Sequence, residues 1–433
     1  MTTETASPTA PHRPIGARRA WAMLVALTLL TVIGMTVVLP VLPFVVLRYV
    51  PDQGHLAIWV GILEGVNALC AFLVAPILGG LSDRIGRRPV IIASAFGAAL
   101  GYLLFGLGGS IWMLLIGRIV QGITAGDMPA LFAYLADITP PAQRARRFGL
   151  LGALSGIGMM AGPALGGLLA AISTDLPVFV TAAIALVIAI LSIFALPESL
   201  APERRTPRLD LRALHPLRVF RDAFARRELR GLLFGFVLVT VPFVFFVNNF
   251  SVLALDELSW TATQVGLLTA VVGILDIAIQ GGLLAILLPR IGERGIIISG
   301  IVTQAVGLVA LGVIGSLLAQ PWLFVVGTLV LAAGQGATTA TIDGVLSNSV
   351  GDDEQGWIAG AAQSLNSAIG MLAPVVAGLL YTVVAHSAPY WIGAVLMLAA
   401  VVVFVRARIA SAAAGEGPGA RGETAPEPAA ASS

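Results

Sequence analysis

The chain has 433 residues, of which 58% are hydrophobic and only 11% charged, with a mean hydropathy of +0.94. That leaves too little polar surface to cover a water-soluble globule of this length, which excludes a soluble enzyme or binding module. The net charge of +2 reflects arginines gathered on one side of a membrane, and not a nucleic-acid-binding surface.

A helix needs about 20 apolar residues to cross roughly 30 Å of hydrocarbon. Twelve such runs follow one another, over 20–46, 57–80, 89–109, 112–138, 148–172, 177–196, 231–255, 263–288, 295–317, 321–348, 357–384 and 389–407. The first is too long for a signal peptide and lacks a small-residue cleavage site, so it is expected to remain as a helix. None shows the short alternation of barrel strands. The predicted architecture is an all-α membrane protein with twelve transmembrane helices. Every basic residue is Arg, and all but Arg48 and Arg118 fall in loops or tails on one side, predicted to be cytoplasmic together with both termini. Asp352, Asp353 and Glu354 sit on that side too, but acids weigh little in the rule. All seven Trp lie at or near a predicted span end, at headgroup level. The lone Cys70 excludes an internal disulfide, and His12, His55, His215 and His386 are dispersed, so no metal site is expected.

The loop after the second run reads Gly79-Gly-Leu-Ser-Asp83-Arg84-Ile-Gly86-Arg87-Arg88, four charges in six residues between two apolar stretches. It resembles the loop between the second and third spans of the major facilitator superfamily: a Gly, three variable residues, an acid, a base, a Gly and two bases. The resemblance implies two six-helix bundles related by an axis along the membrane normal, with a substrate site near mid-membrane between them. Asp83 would then hydrogen-bond the positive end of a helix in the other half, the eleventh, and latch the inner gate. Arg87 would pair with Asp137, nineteen residues after Arg118 at the inner end of the fourth span.

Internal repetition supports two halves. Asp83-Arg-Ile-Gly-Arg-Arg-Pro-Val-Ile-Ile92 recurs as Pro289-Arg-Ile-Gly-Glu-Arg-Gly-Ile-Ile-Ile298, with Pro289 in place of the acid. The predicted organisation is a disordered tail over 1–17, a bundle over 18–197, an Arg-rich linker over 198–230, a second bundle over 231–408 and a disordered tail over 409–433. In the linker, Leu217, Val219, Phe220, Ala223 and Phe224 form either an amphipathic surface stripe or part of a solvated connector.

Within the membrane, Arg118 costs about 3 kcal/mol unless paired or wetted, so it is expected to face protein or water. Its context, Arg118-Ile-Val-Gln121-Gly122, resembles the fourth-helix motif of proton-coupled exporters; helix-locking by hydrogen bonds is the structural alternative. The fifth span carries Gly152, Gly156, Gly158, Gly162, Pro163, Gly166 and Gly167, which resembles the antiporter motif of exporters; a plain glycine packing seam is the other reading. Candidate titrating acids are Glu64, Asp127 and Asp276, each of which reads equally as a fixed ion pair. Asp127 lies nine residues from Arg118, on the opposite side of an ideal helix, so those two are not expected to pair. Phe243, Phe246, Asn249 and Phe250 on the seventh span, Gln363 and Asn366 on the eleventh, and Gln121 are the candidate cavity wall, apolar with scattered amides; lipid-facing is the alternative for each Phe.

Across the first half these motifs resemble the twelve-span drug/proton antiporters, the tetracycline exporters included. Those exporters carry acids in the first and third spans where Thr31 and Gly101 align, so this chain departs from them. The expected function is export of small amphipathic compounds in exchange for protons by alternating access. The expected partners are a small-molecule substrate, protons and the bilayer, with no nucleic acid, in a monomer that is not an enzyme and needs no cofactor beyond the coupling proton. A metabolite or sugar exporter, or an uptake permease, is the rival on the same fold; a transport-inactive sensor or scaffold is the rival of another kind.

Overall fold

A computed structural model describes residues 17–50, 52–206, 224–351 and 354–406, and among these all regular structure is helical. The first bundle comprises α1 (Ala17–Val37), α2 (Leu56–Ile85), α3 (Arg87–Leu107), α4 in two pieces (Ile111–Ile123 and Asp127–Ile138), α5 (Pro141–Ala170) and α6 (Leu176–Phe194). The second comprises α7 (Arg227–Leu258), α8 (Ala262–Ala278, prolonged by the π-turn Ile279–Leu283), α9 (293–314), α10 (Pro321–Asn348), α11 (Gln355–Leu379, prolonged by the π-turn Leu380–Val384) and α12 (Ala388–Arg406).

Among the described residues, ten segments are long and apolar enough to span a membrane. The count reaches twelve because α4 is split into pieces too short to qualify and because α8 and α9 run together across a kink. Two expectations are corrected here. The run 112–138 is not one helix: the backbone leaves it at Thr124–Gly126, just ahead of Pro129. The run 20–46 stops at Val37, and Pro40 and Pro43 turn the chain into a separate short helix, Leu42–Val46.

Local signals set the other ends. Ser110 accepts from the Met113 N–H to start α4, Thr261 and Gln264 form a capping box on α8, and Pro141, Pro177 and Pro321 occupy first turns. The α2–α3 turn is made by Gly86 at φ 115°, and the α8–α9 kink by Gly292 at φ 67°. These two glycines hold the same place in the sequence repeat, so the repeat preserves a backbone shape that only glycine adopts readily.

The halves meet along two glycine seams, α2 on α11 and α5 on α8. A side chain at Gly61 or Gly378 would strike the backbone of Pro374 or Ala57, and one at Gly167 would lie 2.9 Å from the Gly266 Cα. Such close backbone approach is how apolar helices associate in lipid, where dispersion and not hydrophobicity must hold them. Both seams lie toward the end that bears Asp52, Asp175, Asp256 and Glu257. Toward the Arg-rich end the same helices separate: nothing lies within 4 Å of a Cβ built on Gly79, Gly152, Gly156, Gly281, Gly282 or Gly360. The protein is therefore closed at the acid-bearing end and open at the Arg-rich one. Residues 1–16, 207–223 and 407–433 lie outside the described residues, and with them the tails and most of the linker stripe from Leu217 to Ala223.

Candidate functional site

Arg118 is the centre of a polar cluster in the first bundle. Its guanidinium, 6% exposed, donates to Glu64 Oε1 of α2 at 2.6 Å and to Gln121 Oε1 at 3.1 Å, and lies 5.2 Å from the centre of the Phe105 ring. Asn67 Nδ2 donates to the Arg118 carbonyl at 3.0 Å, which ties α2 to α4 a turn below Glu64. Space for this comes from Gly117 and Gly122 on α4 and Gly101 on α3, which let three backbones crowd together. The Nε of Arg118 and the Nε2 of Gln121 are buried and have no hydrogen-bond partner among the described residues. Glu64 is 28% exposed, so its carboxylate is reachable while its partner is not.

The other two acids stand apart from Arg118. Asp127 opens the second piece of α4, where its carboxylate meets the backbone N–H of Met128 at the positive end of that helix. Asp276 on α8 accepts from Gln280 at 2.8 Å and faces Gly336 of α10, where any side chain would displace it. The π-turn Ile279–Leu283 follows directly, a distortion often found beside functional residues.

At the Arg-rich end, Arg87 bonds Asp137 at 3.1 Å, Asp83 at 2.5 Å and Ser82 at 3.2 Å. Among the described residues the expected contact of Asp83 with α11 is not made in this conformation, and the half-exposed carboxylate pairs with Arg87 instead. Arg84 is exposed, and Arg88 closes the end of α6 by donating to the carbonyls of Ser192 and Ile193. Glu198 accepts four backbone N–H groups, from Arg87, Arg88, Ser199 and Leu200, and so caps α3.

The glycine run of α5 is divided in its use. Gly158, Gly162 and Gly166 pack on α1 at Val32, Thr36 and Val37, Gly167 meets α8 beside Pro163, and Gly152 and Gly156 border the opening. The candidate wall is divided as well. Gln363 and Asn366 are exposed in the open half, whereas Phe246, Asn249 and Phe250 are buried. Phe250 stacks on Phe324 at 5.1 Å, Phe243 packs 6.1 Å from Phe246, and Asn249 donates to the Ala377 carbonyl. In this conformation these three residues are part of the packed core, because the molecule is closed at their end of α7.

Sequence reasoning missed Asn67, Tyr102, Glu198 and the closure at the acid-bearing end. Tyr102 on α3 lies within the fields of Arg118, Glu64 and Asp127 together. At the closed end, Asp256 of α7 accepts from Gln53 of the first half at 2.9 Å and from Tyr381 of α11 at 3.0 Å. His386 stacks on Tyr381 and reaches Glu257 at 2.7 Å. Amide and phenol donors leave no sequence pattern, so only the fold brings them together.

Two bundles of six, zipped at one end and parted at the other around buried charge, define a secondary transporter by their architecture. The Major Facilitator Superfamily profile matches residues 24–317 and 243–431, and the chain belongs to that superfamily. It is 36% identical to the class C tetracycline resistance protein of Escherichia coli, over 87% of this chain and 92% of that protein. It is 27% identical to multidrug resistance protein 2 of Bacillus subtilis strain 168, over 82% and 86% respectively. The human organic anion transporter MFSD10 superposes with a TM-score of 0.66 at 21% identity, covering 90% of this chain and 99% of that one. At that identity the likeness extends to the fold.

Proposed function

We propose that this protein exports small amphipathic compounds across the cell membrane in exchange for protons, as a monomer with both termini in the cytoplasm. The observation that carries the reading is the Glu64–Arg118 pair, a partly accessible carboxylate held by a buried guanidinium between the helices of the first bundle. Similarity to tetracycline and multidrug resistance proteins supports the class of cargo. Tetracycline itself fits less well. A Cβ on Gly101, where the tetracycline exporters carry an acid, would lie 2.6 Å from Gln121 Cγ and 2.8 Å from the Gly117 carbonyl, so this position has no room for a carboxylate.

In the conformation open to the Arg-rich side, ionised Glu64 holds Arg118, and cargo enters past Gln363, Asn366 and Asp276. Rocking of the bundles then exposes the pair to the other side, where a proton on Glu64 removes its charge and releases the guanidinium. The protonated form returns, and the proton leaves toward the cytoplasm as the next cargo binds and the pair re-forms. One proton moving through ~100 mV and ~1 pH unit releases about 3.7 kcal/mol, enough for a several-hundred-fold gradient of a neutral solute. Asp127 and Asp276 are the further carriers.

Purified protein exposed to a substrate panel should release protons on binding, and Glu64→Gln should abolish that release. Release retained in Glu64→Gln would remove Glu64 as carrier. No release with any compound, together with no transport on a pH jump in proteoliposomes, would overturn the exporter reading.

A further inference from the structure

A cavity of about 560 Å³ lies outside the transport path, between the Arg-rich ends of α2 and α3 and the segment that follows α6. One wall is apolar, made by Ile85, Pro89, Ile92 and Ala93. This wall continues along α3 as an exposed stripe, Pro89, Ala93, Phe96, Leu100, Leu103 and Leu107, each three or four residues from the last. Such spacing is a single helix face, and in this protein that face is bared to lipid.

The other wall carries Arg88, Arg205 and Glu198. Arg88 donates only to main-chain carbonyls, so no acid matches its charge. Arg205 is held in place by the chain itself, since the next residue, Thr206, donates its N–H to the Asp83 carbonyl. Its guanidinium has no hydrogen bond or ion pair among the described residues, and its Nε is sealed from solvent. The carboxylate of Glu198 is already saturated by four N–H donors. Two guanidinium groups against one carboxylate leave a deficit of one negative charge, in a pocket whose apolar side opens onto the bilayer.

We propose that this pocket binds the phosphate of one anionic phospholipid, with an acyl chain laid along the α3 stripe. A planar guanidinium with free N–H groups matches a phosphodiester in a two-point contact, and basic pockets beside membrane helices are suited to lipid headgroups. The single charge deficit selects a lipid such as phosphatidylglycerol over a zwitterionic one. A free phosphate would leave the apolar wall and its stripe uncovered.

Native mass spectrometry of the full-length protein released from nanodiscs of equal parts phosphatidylglycerol and phosphatidylcholine tests this directly. The wild type should retain one phosphatidylglycerol about tenfold over phosphatidylcholine, the effect of one charge-assisted contact. Arg205→Gln should cut that retention about tenfold, and Arg205→Lys by less. Ala93→Trp, which fills the apolar wall and keeps both arginines, should lower it too, while Arg290→Gln on the second bundle should leave it unchanged. Equal retention of the two lipids, or wild-type retention in Arg205→Gln, would overturn the proposal. Displacement of the lipid by millimolar glycerol phosphate would also overturn it, by making the pocket a site for soluble anions.

Discussion

The two halves share a backbone and differ in charge. Gly86 and Gly292 make the same left-handed turn, and both α3–α4 and α9–α10 pack through glycines. Yet the eighth residue of α4 is Arg118, paired with Glu64, whereas the eighth residue of α10 is Thr328, fully buried with its hydroxyl unpartnered. Where the first half sets Asp83 against Arg87, the second has Pro289 and Glu293, and the Glu293 carboxylate accepts from Asn348 at 3.4 Å. Duplication has preserved the hinge geometry in both halves while the ionisable chemistry is concentrated in one. The second half therefore serves mainly as a packing partner, with Asp276 and the closed-end cluster of Asp256, Glu257 and His386 its exceptions.

The strongest way to break this comparison is to remove the central pair. Arg118→Ala should lower proton-driven transport by about 100-fold, the top of the usual coupling range, and destabilise the first bundle by about 2 kcal/mol by leaving Glu64 alone. Thr328→Ala should change transport less than about twofold by the same measure, uptake into proteoliposomes. A comparable loss at both positions would make the halves equivalent.

Next in size is the seam. Gly65→Leu places a branched side chain where a Cβ already lies 2.7 Å from Val375 and 2.8 Å from the Met371 carbonyl. It should penalise closure at the acid-bearing end by about 1–3 kcal/mol. Spin-label distances between the outer ends of α2 and α11 should lengthen accordingly; unchanged distances would show that the seam does not hold the state.

Arg87→Ala should reduce transport by about five- to tenfold, and Glu293→Ala, at its repeat counterpart, by less than about twofold. The smallest effect is expected at the surface pair of Arg226 and Glu354, 2.7 Å apart. Hydrogen bonds from Arg226 hold the Glu354 carboxyl below its usual range. Its contribution is thus present above the ordinary Glu value near ~4.3 and is lost as pH falls through the lowered one. Glu354→Gln should shift the melting midpoint by about 1 °C or less at pH 7 and not at all in stronger acid, as followed by differential scanning fluorimetry.

Twelve spans were legible because hydrocarbon demands long apolar runs, and the turn at Gly86 was legible because charge and glycine coincide there. The break at Thr124–Gly126 was signalled by Pro129, but the length of the apolar run outweighed that signal. Glu198 reads in sequence as the first residue of a linker; beside its neighbours Ser199 and Leu200 it takes the N–H groups of Arg87 and Arg88, more than a hundred residues away, which no periodicity reports. Phe246 and Phe250 share a helix face in the sequence, and in this conformation that face is buried. The sequence describes a helix face, but which end of the molecule is shut decides what that face touches.

The register of the α5–α8 seam carries a consequence for the half of the cycle not seen here. Gly167 rests on Gly266 and Met160 on Gly273; continued down the same antiparallel pair, this spacing sets Gly152 opposite Gly281. These two now border empty space, and they become the touching points when the molecule tips the other way. A bulky residue at either would be harmless in the present shape, so Gly152→Leu should load cargo normally in equilibrium binding yet stall before delivery, a trap that separates occupancy from turnover.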